Sequence, residues 1–431
     1  MNISKRLTKT RESFDLSRKE MAEKSYLSYS HYSNIERGEY LPTVTMLKAL
    51  ADNLDLPEEY LLNYDDNDNV LEELLKSFKT NIDTFNLKEA ELILKTILDE
   101  YPFINSIYQE TYFYMLRSYY YYRINDKENS FRLFNNEFLP LIKGLNIEDL
   151  PDNIKEVYYY IQAVISYFNK KYNESYLYFL KQLPLLKDNL AKAGVYYNIA
   201  LQRFRLNDFH KAIPYAERAF DLYNIEQQLD KSADTANLLG SLYIEVKDIQ
   251  NAEKKLTRAF EMAKNNNSDT LKAKILHNLG LVYKFKGDFE KSLDYLYKSI
   301  EIKKDIKLNP FISYLSVIDT YIEQNLYDKA EKIMSEVKEH VEDETDEMHL
   351  QVLKAKINLK RENYKIYEIL IREAIDYFYK NKLWHFIKDI SIELAEYYNE
   401  QKKYKLAFRY CRIIYKAQKN LEEGILNANV E

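Results

Sequence analysis

Small and apolar positions recur along the chain at a spacing of forty residues. The segments 236–260 and 276–300 superpose so that Gly240 falls on Gly280, and Ala200 takes the same position forty residues earlier. A small residue on one helix lets a second helix approach closely, and apolar side chains at helical spacing fill the seam between them. The pattern therefore predicts repeated pairs of helices.

The same frame extends in both directions and gives nine units between residue 71 and about residue 416. Each unit carries a small or apolar marker on its first helix and a second marker on its second helix. The first-helix markers are Phe78, Ser118, Ala163, Ala200, Gly240, Gly280, Ile318, Ala355 and Ala395. We predict an elongated stack of nine helix pairs, because each pair buries its apolar face only against its neighbours.

Helix signals are denser in the first 62 residues. Ser17 and Glu20 form a capping box, Ser28 can cap the following helix, and Gly38 can end that helix in the left-handed conformation. Together with the apolar spacing, these signals predict five short helices, of which the second and third are joined by a tight turn. This is a helix-turn-helix arrangement. We expect a domain at residues 1–62, an acidic linker at 63–70 and a repeat domain at 71–431.

Composition supports an all-α protein. Only 7 of the 431 residues are Gly and 8 are Pro, well below the roughly 12% that the two contribute to an average protein. β-Hairpins and phosphate-binding loops draw on glycine, so its scarcity argues against a β-rich fold and a nucleotide-binding sheet. The net charge is −6, but the first 37 residues carry an excess of basic groups, which favours a polyanion as their partner.

Candidate catalytic chemistry is poor. The six histidines show no metal-ligand spacing, and the single cysteine, Cys411, cannot form an internal disulfide. We therefore expect no catalytic residues, no metal, no cofactor and no enzymatic activity. The sequence shows neither a secretory signal nor a long apolar span, so we expect a cytoplasmic protein without a membrane partner.

The segment from Leu16 to Leu56 resembles the DNA-binding domain of Cro and phage-repressor regulators. The resemblance covers residues 3–62 and is carried by the Ser-x-x-Glu-Met-Ala sequence at Ser17 and by Ile-Glu-Arg-Gly at residues 35–38. It implies a core of Met21, Ala22, Tyr32, Ile35, Leu47 and Leu50. It also implies operator DNA as the partner, with a set of side chains facing the major groove: Arg18, Tyr29, Ser30, His31, Ser33 and Asn34.

The forty-residue units resemble tetratricopeptide repeats, which imply a right-handed superhelix with a concave groove lined by the first helices. A Cro-like domain followed by nine such repeats resembles the peptide-pheromone quorum-sensing regulators of Gram-positive bacteria, the RRNPP family, and most of all its NprR-type members. The resemblance implies a transcriptional regulator that binds a short, secreted and re-imported signalling peptide. Binding would change its DNA affinity or its state as a homodimer or higher homo-oligomer.

In that family, asparagine side chains hold the peptide backbone, since a carboxamide can both donate and accept a hydrogen bond. Asn198 and Asn278 lie two positions before the small residue of their repeats, and Asn237 lies three before. With Arg123 and Asp319, they form the predicted peptide-binding set. An Asn in such a helix can instead bond only to a neighbouring helix, and the tyrosines near Arg123 fit a core as well as a pocket.

A second function stays open. The repeats of such a protein can sequester a response regulator under peptide control, or can act on it as a phosphatase. Both possibilities keep a response regulator as a candidate partner beside DNA.

Overall fold

The structure is a computed structural model that describes residues 3–264 and 268–426. Every regular element in these two ranges is a helix. The predicted all-α fold, a five-helix domain followed by helical repeats, is confirmed. The last five residues of the predicted repeat domain lie outside the described ranges.

The first five helices form the helix-turn-helix domain, and their bounds follow the capping signals. They are α1 Ile3–Ser13, α2 Arg18–Lys24, α3 Tyr29–Arg37, α4 Val44–Leu54 and α5 Glu58–Leu62. The capping box of Ser17 and Glu20 is present, Ser28 caps α3, and Gly38 ends it with φ of 80°. The six predicted core residues are all buried, none more than 3% exposed.

The remaining long helices of the described chain form nine successive pairs, as the forty-residue frame predicts. The first three pairs are α6 Asn69–Asp83 with α7 Leu87–Glu100, α8 Ile107–Arg123 with α9 Lys127–Leu133, and α11 Asp152–Phe168 with α12 Tyr172–Gln182. A π-helical stretch, Phe134–Phe138, and the short α10 Leu139–Ile142 follow α9.

The other six pairs follow in unbroken order. They are α13 Asn189–Arg205 with α14 Phe209–Ile225, α15 Leu229–Glu245 with α16 Ile249–Lys264, α17 Asp269–Phe285 with α18 Phe289–Asp305, α19 Phe311–Glu323 with α20 Tyr327–Glu336, α21 Glu344–Lys360 with α22 Tyr364–Lys380, and α23 Trp384–Glu400 with α24 Tyr404–Leu426.

The marker residues act as contact points between paired helices. Gly240 and Gly280 lie where α15 and α17 meet α16 and α18. A Cβ atom on Gly280 would lie 2.6 Å from Leu296 Cγ and 3.2 Å from the carbonyl oxygen of Ser292. The absence of a side chain therefore sets the distance between the two helices.

Most helices end on a residue in the left-handed conformation, and few of those residues are glycine. Gly287 occupies one such turn with φ of 77°. The equivalent turns between long helices use residues with side chains, all with φ between 54° and 66°: Phe85, Asn125, Lys170, Asn207, Gln227, Lys247, Lys307, Asn325, Glu362, Lys382 and Lys402. Turns of the same conformation thus recur about every twenty residues, and nearly all of them use a residue other than glycine.

The chain divides into two compact units. Unit 1 is Met1–Ile165, and unit 2 is Ser166–Glu431. In unit 1 the segment predicted as a linker is bonded to α8: Ile107 N–H donates to the Tyr64 carbonyl at 2.9 Å, and Ser106 Oγ donates to Asn67 Oδ1 at 2.6 Å. The predicted domain boundary at residues 63–70 stays a prediction.

A buried ion pair also joins the helix-turn-helix domain to the repeats inside unit 1. Arg6 of α1 is fully buried, and its Nε and Nη2 donate to Glu110 Oε2 on α8 at 3.0 and 2.8 Å. Arg6 also donates to the carbonyls of Tyr60, Ile104 and Asn105. A buried charge is tolerated only when it is paired and hydrogen-bonded, and Arg6 meets both conditions.

In unit 2 the first helices of successive pairs contact one another. Helix α15 touches α13 and α17, and α19 touches α17 and α21. The second helices pack behind them, so the first helices line one face of the stack. Helix α12 also contacts α24, which brings the two ends of this unit together.

Candidate functional site

Helix α3 presents a short polar face to solvent. Tyr29, Ser30 and His31 are exposed, and Asn34 is partly exposed. Tyr32 and Ile35 point to the opposite side and are buried in the core of the domain. The 3.6-residue period of the helix thus separates four of the predicted DNA-contacting residues from its packed side.

Ser33 differs from the rest of the predicted set. It is 4% exposed, because its position on the helix turns it toward the packed side with Tyr32. A buried hydroxyl is poorly placed to reach a base edge, so the structure supports Ser33 less than the other residues of the predicted set.

Arg18 is held by an ion pair within the domain. Its Nε donates to Glu36 Oε2 at 2.8 Å, Arg11 Nε donates to Glu36 Oε1 at 2.7 Å, and Tyr32 Oη donates to the same Oε1 at 3.0 Å. The Glu36 side chain is 1% exposed, while that of Arg18 is 45% exposed. Arg18 therefore fixes the start of α2 against α3 and keeps only part of its guanidinium open to a partner.

Two tyrosines beside α3 lie outside the predicted set. Tyr26, in the turn before α3, has φ of 58° and is 79% exposed. The ring of Tyr40, just after α3, stacks on His31 with centroids 5.9 Å apart. A large aromatic residue in the turn of a helix-turn-helix, where a small one is usual, was the signal available in the sequence.

The predicted peptide-binding residues of unit 2 all lie on first helices. Asn198 is on α13, Asn237 on α15, Asn278 on α17 and Asp319 on α19. These helices contact one another in this order, so the four residues lie on adjacent first helices of the stack.

Two of these residues, Asn237 and Asn278, are joined by a side-chain hydrogen bond. Asn278 Nδ2 donates to Asn237 Oδ1 at 2.9 Å and to Ser241 Oγ at 2.9 Å. Asn237 is 9% exposed and Asn278 is partly exposed. The pair uses both amide protons of Asn278 and leaves its carbonyl oxygen without a donor among the described residues.

Asp319 lies in a row of alternating charges. It pairs with Lys284 of α17 and lies 4.0 Å from Lys356 Nζ of α21, which in turn lies 3.0 Å from Glu393 Oε1 of α23. Burial acts to raise the pKa of the Asp319 carboxyl, but Lys284 and Lys356 outweigh it and lower the pKa below its usual value. We call Asn198, Asn237, Asn278, Lys284, Asp319, Lys356 and Glu393 the polar ladder.

Asn198 differs from the other ladder asparagines because its side chain has no hydrogen-bond partner among the described residues. Its neighbour Tyr197 does have one: Tyr197 Oη donates to Asp234 Oδ2 on α15 at 2.6 Å. Asn198 is the ladder carboxamide most open to a ligand.

A histidine beside the ladder is held neutral. His277 Nδ1 lies 3.1 Å from Ser313 Oγ, which also accepts a hydrogen bond from Lys303 Nζ at 2.6 Å. Burial, with Lys303 and Lys284 nearby, lowers the pKa of His277 to about 3, and burial near Lys274 lowers the pKa of Lys303 to about 8.

Arg123 lies in unit 1, in an aromatic cluster. Its guanidinium carbon is 4.4 Å from the ring centroid of Phe85 and 5.4 Å from that of Tyr160. Its Nη2 donates to Tyr119 Oη at 2.7 Å, and Tyr119 Oη donates to Asp83 at 2.9 Å. These contacts explain Arg123 as a packing residue of unit 1, and its role in peptide binding stays a prediction.

Within the described ranges, no helix is both long and apolar enough to cross a bilayer. No cluster of three or more His, Cys, Asp or Glu in the same ranges could hold a metal ion.

Comparison with known proteins agrees with the two-part architecture. A helix-turn-helix family model matches residues 7–61, and a tetratricopeptide repeat model matches residues 191–265 and 231–305. The fold and its exposed α3 therefore define a regulator that combines a helix-turn-helix domain with tetratricopeptide repeats.

Three known proteins are similar to this chain over most of its length. The chain is 25% identical to the transcriptional activator NprA of Geobacillus stearothermophilus over 92% of its own length and 98% of that protein. It is 21% identical to response regulator aspartate phosphatase A of Bacillus subtilis, over 69% of its own length and 79% of the relative. The crystal structure of NprR with its cognate peptide NprX matches at a TM-score of 0.61 and 18% identity, covering 82% of this chain and 99% of that one.

The chain resembles the RRNPP family of regulators. The resemblance rests on the presence of helix-turn-helix and tetratricopeptide matches in one chain, and on the near full-length similarity to NprA.

Proposed function

We propose that this protein is a cytoplasmic transcriptional regulator that binds operator DNA through α3 and a short signalling peptide on the first-helix face of unit 2. The observation that carries the proposal is the polar ladder, with its asparagines on successive first helices, in a chain that also has a helix-turn-helix domain.

DNA binding is supported by the exposed side of α3. Tyr29, Ser30, His31 and Asn34 supply hydroxyl, imidazole and carboxamide groups that can meet base edges in a major groove. Lys19, which is exposed on α2, supplies charge for a phosphate contact. The relative NprA is a transcriptional activator, which agrees with this role.

Peptide binding is supported by the ladder. An extended peptide offers a donor and an acceptor at each residue, and carboxamides satisfy both whatever the peptide side chains are. Asn198 is open, and the carbonyl oxygen of Asn278 is available. The fold neighbour NprR is known in complex with its peptide NprX.

Peptide binding can be tested with synthetic peptides encoded in short reading frames next to the gene. Calorimetry on the full chain should find one that binds, and N198A and N278A should each weaken its binding about tenfold, as expected for the loss of one or two hydrogen bonds to a buried backbone. N381A, which changes an exposed asparagine in the turn after α22, is the matched control and should bind normally. Equal binding by all four proteins would refute the ladder as the site.

DNA binding can be tested by selecting a preferred operator from random duplexes. The double variant H31A/N34A should lose the preference for that operator while keeping its fold by circular dichroism. K95A removes an exposed charge on α7 and should behave like the parent. Retention of full sequence preference by H31A/N34A would exclude α3 as the reading helix.

The peptide is proposed to act on the oligomeric state or on DNA affinity. Two helix-turn-helix domains in a homodimer can read half-sites only if their spacing matches about 34 Å or a multiple of it. Sedimentation with and without peptide, beside operator titrations, measures this coupling. Unchanged mass and unchanged DNA affinity would contradict it.

A second candidate function rests on the similarity to response regulator aspartate phosphatase A. The repeats would then bind a response regulator, with the protein acting by sequestration rather than catalysis. Retention of a phosphorylated response regulator on the immobilised protein would support this role, and release of its phosphoryl label would show catalysis instead.

A further inference from the structure

A cavity of about 310 Å³ lies in unit 1 between the helix-turn-helix domain and the first repeats. Lys9 of α1 lines one side, and Phe113, Tyr114 and Arg117 of α8 line the other. Phe103, in the segment between α7 and α8, adds a further aromatic ring. The volume falls at the lower end of the roughly 300–1,000 Å³ that small-molecule sites occupy.

The charges around this cavity are balanced except at one residue. Glu110 neutralises the charge of Arg6, since Glu110 Oε2 lies 2.8 Å from Arg6 Nη2. Lys9 Nζ lies 2.9 Å from Glu137 Oε2 and 3.9 Å from the ring centroid of Tyr114. Two cations and two carboxylates therefore neutralise one another.

Arg117 is the charged lining residue whose charge is not neutralised by a carboxylate in the described part of the chain. Its guanidinium lies over the ring of its neighbour Phe113, 5.4 Å from the centroid, and no carboxylate of the described residues is within ion-pair distance. Its Nε is shielded from solvent and has no hydrogen-bond partner. A shielded guanidinium N–H without an acceptor costs free energy that an incoming anion would recover.

The aromatic walls restrict what that anion can be. Phe113 and Phe103 offer ring faces and edges, which favour a planar apolar group beside the charge. A guanidinium pairs with a planar carboxylate, or with a sulfonate, through parallel N–H donors.

We propose that this cavity is a binding site for a small aromatic monoanion, held by Arg117 and the rings of Phe103 and Phe113. The site is separate from α3 and from the polar ladder, and it goes beyond the proposed function. Because its walls come from both α1 and α8, an occupant would strengthen the attachment of the helix-turn-helix domain to the first repeats.

Two dyes of nearly equal shape test the proposal on the full chain. 1-Anilinonaphthalene-8-sulfonate is anionic, and N-phenyl-1-naphthylamine is its uncharged counterpart. Both fluoresce strongly when they leave water. The parent protein should bind the sulfonate at one saturable site and more tightly than the neutral dye.

R117Q should weaken sulfonate binding about tenfold and leave the neutral dye unchanged, because only the charge-assisted contact is lost. R132Q, which changes an exposed arginine of α9, is the matched control and should leave both dyes unchanged. Equal sulfonate binding by R117Q and the parent would overturn the proposal.

A second variant, L98W, tests the same site independently, in case R117Q does not fold. Leu98 lines the cavity and is 43% exposed, so L98W should fold normally and fill the cavity. It should abolish saturable binding of both dyes, with an unchanged circular dichroism spectrum. Undiminished sulfonate binding by L98W would place the dye elsewhere, and would equally overturn the proposal.

Discussion

Single residues decide how closely the helices of a repeat approach. Gly280 has no room for a side chain, because Leu296 and the backbone of Ser292 already fill the space where a Cβ atom would lie. Gly194, on α13, has only Tyr223 Oη nearby, at 3.6 Å. Two glycines at helical positions therefore have opposite tolerance for a methyl group.

We expect G280A to lower the free energy of unfolding by about 1–2 kcal/mol, since overpacking outweighs the gain in helix propensity. G194A is the matched control and should raise it by about 0.5–1 kcal/mol, because alanine favours a helix and the space is open. Urea unfolding followed by circular dichroism measures both. A stabilised G280A would show that Leu296 moves aside at little cost.

A second prediction at the residue scale concerns His277. Its pKa is lowered to about 3 in the folded protein, whereas an unfolded histidine has a pKa near 6.5. Between these values the unfolded chain binds one more proton, so stability is lost as the pH falls from about 6.5 toward 3.

H277Q removes this titration. The variant should lose less stability than the parent between pH 6.5 and 4, by up to about 1.4 kcal/mol for each pH unit. Chemical unfolding at a series of pH values measures the two slopes. Parallel slopes would mean that His277 is protonated in the folded state as readily as in the unfolded one.

At the scale of elements, the turns explain how a chain with 7 glycines makes so many sharp helix ends. Helix C-termini commonly use a left-handed residue, and glycine adopts that conformation at the least cost. Here lysine, asparagine, glutamine, glutamate and one phenylalanine adopt the left-handed conformation, and Gly287 is the only glycine among the described turns that follow the repeat helices at this spacing.

The turn after α22 allows a test. Lys382 has φ of 56° and is exposed. K382G should raise the free energy of unfolding by about 1 kcal/mol, because it relieves the left-handed strain. K380G, two residues earlier at the end of α22, is the control and should lower it by about 0.5–1 kcal/mol. A destabilised K382G would show that the lysine side chain has a role outside the turn.

The same scale shows how far the sequence predicts the placement of the candidate residues. The forty-residue frame places Asn198, Asn237, Asn278 and Asp319 on first helices, and the structure has them on α13, α15, α17 and α19; their part in peptide binding stays a prediction. Ser33 is buried while the next residue, Asn34, is partly exposed, because a step of one position along a helix turns the side chain by 100°.

At the scale of the molecule, the structure attaches the helix-turn-helix domain to the first repeats by a buried ion pair. The side chains of Arg6 and Glu110 are 0% and 5% exposed, and Tyr60 Oη donates to Glu110 Oε1 at 3.0 Å. Removing one charge from such a pair leaves the other buried and uncompensated.

We expect E110A to lower the free energy of unfolding of unit 1 by about 3–5 kcal/mol and to expose residues 63–68 to protease. E91A breaks the exposed pair of Glu91 and Lys95 on α7 and should cost no more than about 1 kcal/mol. Unfolding curves and limited proteolysis measure both changes. Equal costs for the two variants would show that Arg6 finds water or another acceptor.

The sequence by itself determined the all-α fold, the bounds and caps of the helix-turn-helix helices, and the nine helix pairs. These features depend on apolar spacing, capping residues and small residues a few positions apart, which one helix or one pair encodes locally. The RRNPP resemblance followed from the same local patterns.

The tertiary structure alone decided which polar side chains meet. Arg6 and Glu110 are 104 residues apart in the chain, and no local pattern relates them. The pairing of Arg18 with Glu36, the burial of Ser33 and the unpaired Arg117 beside a cavity likewise depend on how helices rotate and pack. The periodicity of a helix fixes which face is apolar, but only the contact between two helices fixes which charges on the remaining faces find a partner.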